Sequence, residues 1–199
     1  MVKNDMKAYV VNLLERTDRM EEFKKNKFPF EVERFDAIKT DPGWVGCTAS
    51  QLLIMSRQKK YPFAIFEDDC ELLQSWDVVE KAMSQLPWGW DALWLGAILM
   101  GPVKRYSENL CRITEAFCAH AIIYNSQYMV DYIVNNFDNY ETEIRKTIDV
   151  FYAYDVQLKF NCYITTPLVA TQRTGFSDIE QREVNYEQII NNFNQYVSS

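Results

Sequence analysis

Histidine is almost missing from this sequence: a single imidazole, His120, among 199 residues excludes a multi-histidine zinc site by count. Cysteine is scarce and scattered. The five thiols, Cys47, Cys70, Cys111, Cys118 and Cys162, form no CxxC pair. That argues against zinc ligation and against a secreted disulfide scaffold, and for buried thiols in a reducing compartment. Basic charge is also short, since 21 Lys and Arg against 28 Asp and Glu leave a net charge of -7, the wrong sign for a general nucleic-acid binder. A nucleotide ligand is still permitted, because a bound cation inverts the local field. Long apolar runs are lacking too. The N-terminal MVKNDMKAYVV is broken by Asn12, Glu15 and Arg16 before it can act as a signal peptide or cross a bilayer. The expectation is a cytoplasmic protein with no integral membrane segment, with peripheral attachment to a membrane left open.

What is present is a globular composition, 48% hydrophobic and 15% aromatic, in a chain long enough to bury one sizeable core. No repeat, low-complexity tract or linker divides it, so residues 1–199 read as one domain. The most informative stretch is Tyr61 to Asp69, YPFAIFEDD, an apolar run of the kind found in strands buried on both faces, ending in three carboxylates. Ligands bind at the carboxyl ends of strands in open α/β sheets, and adjacent acids repel unless a cation or a donor neutralises them. Glu67, Asp68 and Asp69 are therefore candidates for a metal and phosphate site, against the alternative of a solvated acidic loop or helix start.

Around this run the pattern alternates strand and helix. Strands are expected over Lys7–Leu14, Phe30–Phe35, Asp91–Leu95, Phe117–Tyr124 and Tyr163–Thr165. Helices are expected over 15–27, from a Thr48 cap to about Lys59, from a Ser75 cap to Leu86, over Ser126–Asn135 and Thr147–Phe160, and as a closing helix over about 185–197. Gly101 to Arg112 reads as a polar loop. This order predicts a layered α/β fold with a mixed sheet. Asn12, Arg16 and Arg19 follow the first strand, where a mononucleotide is gripped in such folds, although two arginines in one charged helix can equally pair with Glu15 and Glu22.

Taken in order, several motifs resemble glycosyltransferase family 25, the lipooligosaccharide and collagen-type galactosyltransferase group. They are Val11-Asn12-Leu13, Arg16-Thr17-Asp18-Arg19, Gly43-Trp44-Val45-Gly46-Cys47 with Ser50, Ile65-Phe66-Glu67-Asp68-Asp69, and Trp90-Asp91 through Gly96. His120-Ala121, Ile148-Asp149, Pro167-Leu168-Val169, Gln172 and Ser177-Asp178-Ile179 complete the set. Gln51 stands where the family usually carries His, and Glu15 where it often carries Arg.

The resemblance implies a GT-A-like domain, a mixed and mostly parallel sheet flanked by helices, and an inverting transfer of a hexose from a UDP-sugar to a glycan hydroxyl. Galactose or glucose is the expected sugar. It also implies Mn2+ or Mg2+ held by Asp69 with Asp68, the triplet standing for the family's DxD motif. Glu67, Asp68, Asn12, Arg16, Arg19, His120 and Gln172 then fall to donor binding. The base that takes the acceptor proton is sought among Asp149, Asp155 and Asp178, with Asp149 preferred; its alternative is simple helix capping, as His120 can equally be a satisfied core residue. Two other classes remain open: a nucleotidyltransferase or phosphohydrolase, and a non-catalytic nucleotide-sugar-binding domain.

Overall fold

A computed structural model describes residues 6–140, 146–179 and 181–197; the first five residues of the N-terminal stretch read above lie outside these. Alternation along β1 (Lys7–Asn12) sends Ala8 and Val10 to one face of a sheet and Tyr9 and Val11 to the other. β1 pairs in parallel with β2 (Val32–Asp36) on one side and β3 (Phe63–Glu67) on the other. The chain thus steps from β1 one way across the sheet to β2, then back past β1 to β3. With right-handed crossovers the two connecting helices must fall on opposite faces. They do: α1 (Thr17–Phe23) buries Phe23 with Ala64 and Phe66, whereas α2 (Gly43–Ser56) buries Ile54 and Met55 with Phe63 and Ile65. The carboxyl ends of β1 and β3 therefore flank the point where strand order reverses, the position at which open α/β sheets bind ligands.

After β3 come β4 (Cys70–Leu72), α3 (Trp76–Met83), β5 (Ala92–Trp94), β6 (Ile98–Leu99), β7 (Lys104–Ser107), β8 (Leu110–Arg112), β9 (Ala116–Phe117), β10 (Ala121–Tyr124) and α4 (Gln127–Asn136). α5 (Ile148–Phe151), a π-helical turn (Tyr152–Val156), α6 (Gln157–Lys159), β11 (Cys162–Thr165), β12 (Ala170–Gln172), β13 (Gly175–Ser177), β14 (Arg182–Val184) and α7 (Glu187–Val197) complete the chain. The sheet order is β2-β1-β3-β10-β5-β11-β8-β7. Only β10 and β8 run against the other strands, so this is the mixed α/β sheet flanked by helices that the element order predicted. Phe63 to Phe66 are fully buried, as expected for a strand covered on both faces.

Several local expectations are corrected. The second helix begins at Gly43, five residues before Thr48, because Pro42 supplies an extended N-cap and Gly46 lets the first turn sit against the loop after β2. Ser75 occupies an N-cap position but its hydroxyl caps nothing, whereas Ser126 does accept from the Met129 N–H. Gly101 to Arg112 is no loop over its second half: β7 and β8 form a hairpin whose exposed Lys104 and Arg105 suit a sheet edge. The strand expected from Phe117 to Tyr124 is cut at Cys118, whose φ of 79° turns the chain from the β6–β9 ribbon into the central sheet. The ribbon β12–β4 and the hairpin β13–β14 carry little apolar alternation and were not expected.

Gly96 shows how tightly the top of β5 is crossed. A Cβ there would lie 2.0 Å from the Ala170 carbonyl oxygen and 2.7 Å from His120 Nε2, while Gly101 has open space around it. Gly96→Ala is expected to destabilise the fold by about 1–3 kcal/mol in urea unfolding and Gly101→Ala by less than about 0.5 kcal/mol. Equal effects would refute this account of the crossing.

Candidate functional site

The three acids at the end of β3 are held by backbone on both sides. The Glu67 N–H donates to the His120 carbonyl at 2.9 Å, and the Arg173 N–H donates to the Asp69 carbonyl at 2.7 Å. Their side chains then diverge. Asp68 accepts from Asn12 Nδ2 at 2.7 Å and from Arg19 at 2.8 Å. Glu67 accepts from Gln51 Nε2 at 3.0 Å, with the Cys47 thiol 3.6 Å away. Asp69 meets Gln172 Nε2 only at 3.4 Å and Arg19 at 3.8 Å, and its Oδ1 is buried with no hydrogen-bond partner. One guanidinium thus reaches two of the three carboxylates, and it is committed mainly to Asp68.

The charge imbalance appears in the protonation of the acids. Burial, reinforced by the charges of Asp69, Asp149 and Asp68, pushes Glu67 up to about 8. Burial and the charge of Asp68 push Asp69 up to about 6 against the opposing pull of Arg19. Without a ligand, protons do part of the neutralising.

These groups open onto a cleft of about 390 Å3 at the switch point. Its walls come from segments far apart in sequence: Leu13 and Arg19 after β1, Ile38 to Thr40 after β2, Gly43, Trp44 and Cys47 in α2, Phe117 to Ala119 around β9, Asp149 in α5, Gln172 in β12, and Ser177, Asp178 and Tyr186 beyond it. The loop after β2 is stapled to α2. The Gly46 N–H donates to Thr40 Oγ1 at 2.7 Å, the Ile38 N–H to Ser50 Oγ at 2.8 Å, and a Cβ on Gly46 would lie 2.0 Å from the Ile38 carbonyl oxygen. The glycines and Ser50 of the Gly-Trp-Val-Gly-Cys stretch therefore build a wall, leaving Trp44 and Cys47 to face the cleft.

Of the residues expected at the site, Glu67, Asp68, Asp69, Arg19, Gln172, Asp149 and Asp178 line this cleft. Asp149 stands at the start of α5, where its Oδ1 accepts from the Thr147 hydroxyl and the Val150 N–H. Asp178 faces the cleft while paired to Arg16. Four expectations need correction. Asn12 lies beneath the cleft: its amide is spent on Asp68 and the Arg16 carbonyl, and its oxygen accepts from Arg34, so it positions Asp68 and touches no ligand space. Arg16 is a strap between Asp18 and Asp178, outside the lining. His120 is fully buried behind the acids, neutral because burial pushes it down to about 4. The Ala170 carbonyl opposes that shift without reaching hydrogen-bonding geometry, so the ring is packing and not a donor contact. Asp155 lies elsewhere, bonded to Tyr132 and Lys159, because six residues of helix carry it off the face that bears Asp149.

Lys39, paired with Glu15 at the mouth, also lines the cleft, as do Cys118, Thr147 and Tyr186. None has a local signature: each reaches the cleft through a turn or a crossing. Burial pushes both cleft thiols, Cys47 and Cys118, well above their ordinary range, so neither is a thiolate nucleophile. Among the described residues no three His, Cys, Asp or Glu side chains form a ready metal cage. The oxygen donors nonetheless fit a hard divalent ion: Asp69 Oδ1 lacks a partner, and such ions are often held by one or two carboxylates with substrate phosphates completing the shell.

No family model and no curated protein matches the sequence. Among solved structures, the crystal structure of A197 from STIV is similar to this chain at a TM-score of 0.48 and 12% identity, over 90% of this chain and 93% of that one. A likeness that remote leaves function to be argued from the side chains.

Because folded Glu67 holds its proton more tightly than the unfolded chain does, the stability from the neutral acid is complete below about 4.5. It is lost as pH rises through about 8. In EDTA, the protein is expected to lose about 1 kcal/mol of stability between about pH 6.5 and 8, discounted for the partly exposed side chain. Glu67→Gln should flatten that slope in denaturant titrations. An unchanged slope in the variant would show that the proton sits elsewhere.

Proposed function

We propose that the chain is a metal-assisted glycosyltransferase that moves a hexose from a UDP-sugar to a glycan hydroxyl on a GT-A-like fold. The observation that carries this is the under-neutralised acid corner at the end of β3, with Asp69 Oδ1 unpartnered and Asp149 on the same cleft. The ordered motifs resembling glycosyltransferase family 25 support the same reading. Asp69, with Asp68 beside it, would hold the cation, and Gln172 would keep the Asp69 carboxylate oriented. Bound Mn2+ or Mg2+ would supply Lewis-acid stabilisation of the diphosphate as it leaves.

The chain's own residues then have distinct tasks. Arg19, locked by Asp68 and by the Phe176 carbonyl at 2.8 Å, presents a fixed positive charge to the phosphates. Trp44 and Ile38 offer an apolar wall for a base or a sugar. Asp149 takes the proton of the acceptor hydroxyl, its carboxylate aimed by Thr147. An inverting displacement needs the base and the leaving diphosphate on opposite sides of the anomeric carbon, and two acidic groups from α5 and β3 sharing one cleft suit that demand. Asp178 is less suited to the role because Arg16 already claims it.

Calorimetry with UDP should show binding that strengthens at least about tenfold with Mn2+, and Asp69→Ala should abolish that increment. Equal binding in all four conditions would remove the metal from the proposal. Separately, Asp149→Asn should lower transfer or donor hydrolysis by about 10²–10⁴ with UDP affinity kept. Full activity in that variant would exclude Asp149 as base, and release of pyrophosphate or UMP instead of UDP would point to phosphate chemistry.

A further inference from the structure

The end of the sheet remote from the cleft carries a different chemistry. Strand register sets Lys7, Phe63, Tyr124, Ala92 and Cys162 in one row across β1, β3, β10, β5 and β11. The segments entering or leaving that row carry Lys59 and Lys60 before β3, Trp88 before β5, Tyr128 after β10 and Leu158 before β11. Trp88 is wholly exposed at 101%, with Tyr128 at 75% and Leu158 at 64%. A soluble fold has no packing reason to hold a tryptophan out in water beside two further apolar side chains.

At the same end of the sheet lies a second cavity of about 390 Å3, where Lys7, Arg57, Lys59 and Lys60 surround a floor that includes Tyr9, Phe35 and Ile54. Glu33 is the one acid in its lining. Among the described residues none of the four cations makes a side-chain hydrogen bond or ion pair, on a chain whose net charge is -7. Of the other acids at this end, Asp155 is paired with Lys159, Asp91 accepts the Asn161 N–H at 2.7 Å, Asp131 accepts from Gln127 at 2.8 Å, and Glu31 directly precedes β2. Four cations without a side-chain partner thus share the end opposite the acidic cleft with the exposed aromatics.

We propose that this end of the molecule docks on an anionic membrane surface, the four cations meeting lipid phosphates while Trp88 and Tyr128 seat among the headgroups. Aromatic rings with a polar edge favour that interface, and clustered Lys and Arg are drawn to anionic lipid. No helix among the described residues is long and apolar enough to cross a membrane, so attachment by this face would be peripheral and reversible. The acid cleft then opens away from the bilayer, about a strand's length above it. The inference does not rest on the chemistry proposed for the cleft.

Co-sedimentation with phosphatidylcholine vesicles, with and without phosphatidylglycerol, tests it. The protein is expected to pellet with the anionic vesicles only, less so at high salt. Lys59→Glu/Lys60→Glu should weaken partitioning about 25-fold or more, at about fivefold per cation lost, and Trp88→Ser should weaken it severalfold. All of these positions are exposed, and circular dichroism checks that the variants fold. The charge-matched control Lys24→Glu/Lys25→Glu adjoins Asn26, whose amide reaches the Cys70 carbonyl beside the acids, and should leave partitioning intact. No pelleting, equal pelleting with neutral vesicles, or equal loss in the control would overturn the proposal. So would displacement by inorganic pyrophosphate combined with indifference to Trp88→Ser, which would mark a small-anion site.

Discussion

Three carboxylates at the end of a buried strand, with one guanidinium among them, form the constraint around which the rest of this molecule is arranged. Asp68 is satisfied by Asn12 and Arg19, and Glu67 leans on Gln51, but Asp69 keeps an oxygen that nothing meets. Desolvating like charges together is costly, and the cost is relieved in the free protein by protons on Glu67 and Asp69. A site built this way exchanges protons for a cationic ligand more readily than a fully paired one. Hydrogen-bonding every acid would have produced a more stable and less useful corner.

The fold keeps that corner from dispersing. Main-chain bonds to His120, just before β10, and from Arg173, just after β12, fix the backbone of the triplet at both ends. Arg16 and Arg19 tie the loop after β1 to the segment around Phe176 and Asp178, bringing residues more than 150 positions apart to one wall. Close backbone approach at Gly46 and Gly96 leaves no room for larger residues beneath the walls. The two ends of the same sheet consequently differ: acids gather where the strand order reverses, while unpaired cations and bare aromatic rings gather at the other end.

Much of this was legible residue by residue. The apolar run ending in Glu67, Asp68 and Asp69 announced both a doubly covered strand and the acids at its tip, because burial and charge are written in consecutive positions. Arg19, Gln172, Asp149 and Asp178 are candidates on the sequence and share the cleft. Asn12, Arg16, His120 and Asp155 are also candidates on the sequence and do not face it. Asn12 and Arg16 were consumed by partners, Asp178 among them, that no local pattern reveals. His120 is buried against Gly96, and Asp155 falls on another helix face, six residues from Asp149.

By itself the sequence determined the alternation of strands and helices, the shortage of metal-binding histidines, the sign of the net charge and the place of the acidic triplet along the chain, since each follows from residue type and short-range spacing. The tertiary structure alone decided which carboxylate stays unpartnered, which arginine faces the cleft, and that lysines at 7, 59 and 60 share one end with Trp88. Those outcomes depend on sheet order and crossing geometry. They are set by the packing of segments distant in sequence, and spacing along the chain carries no record of it.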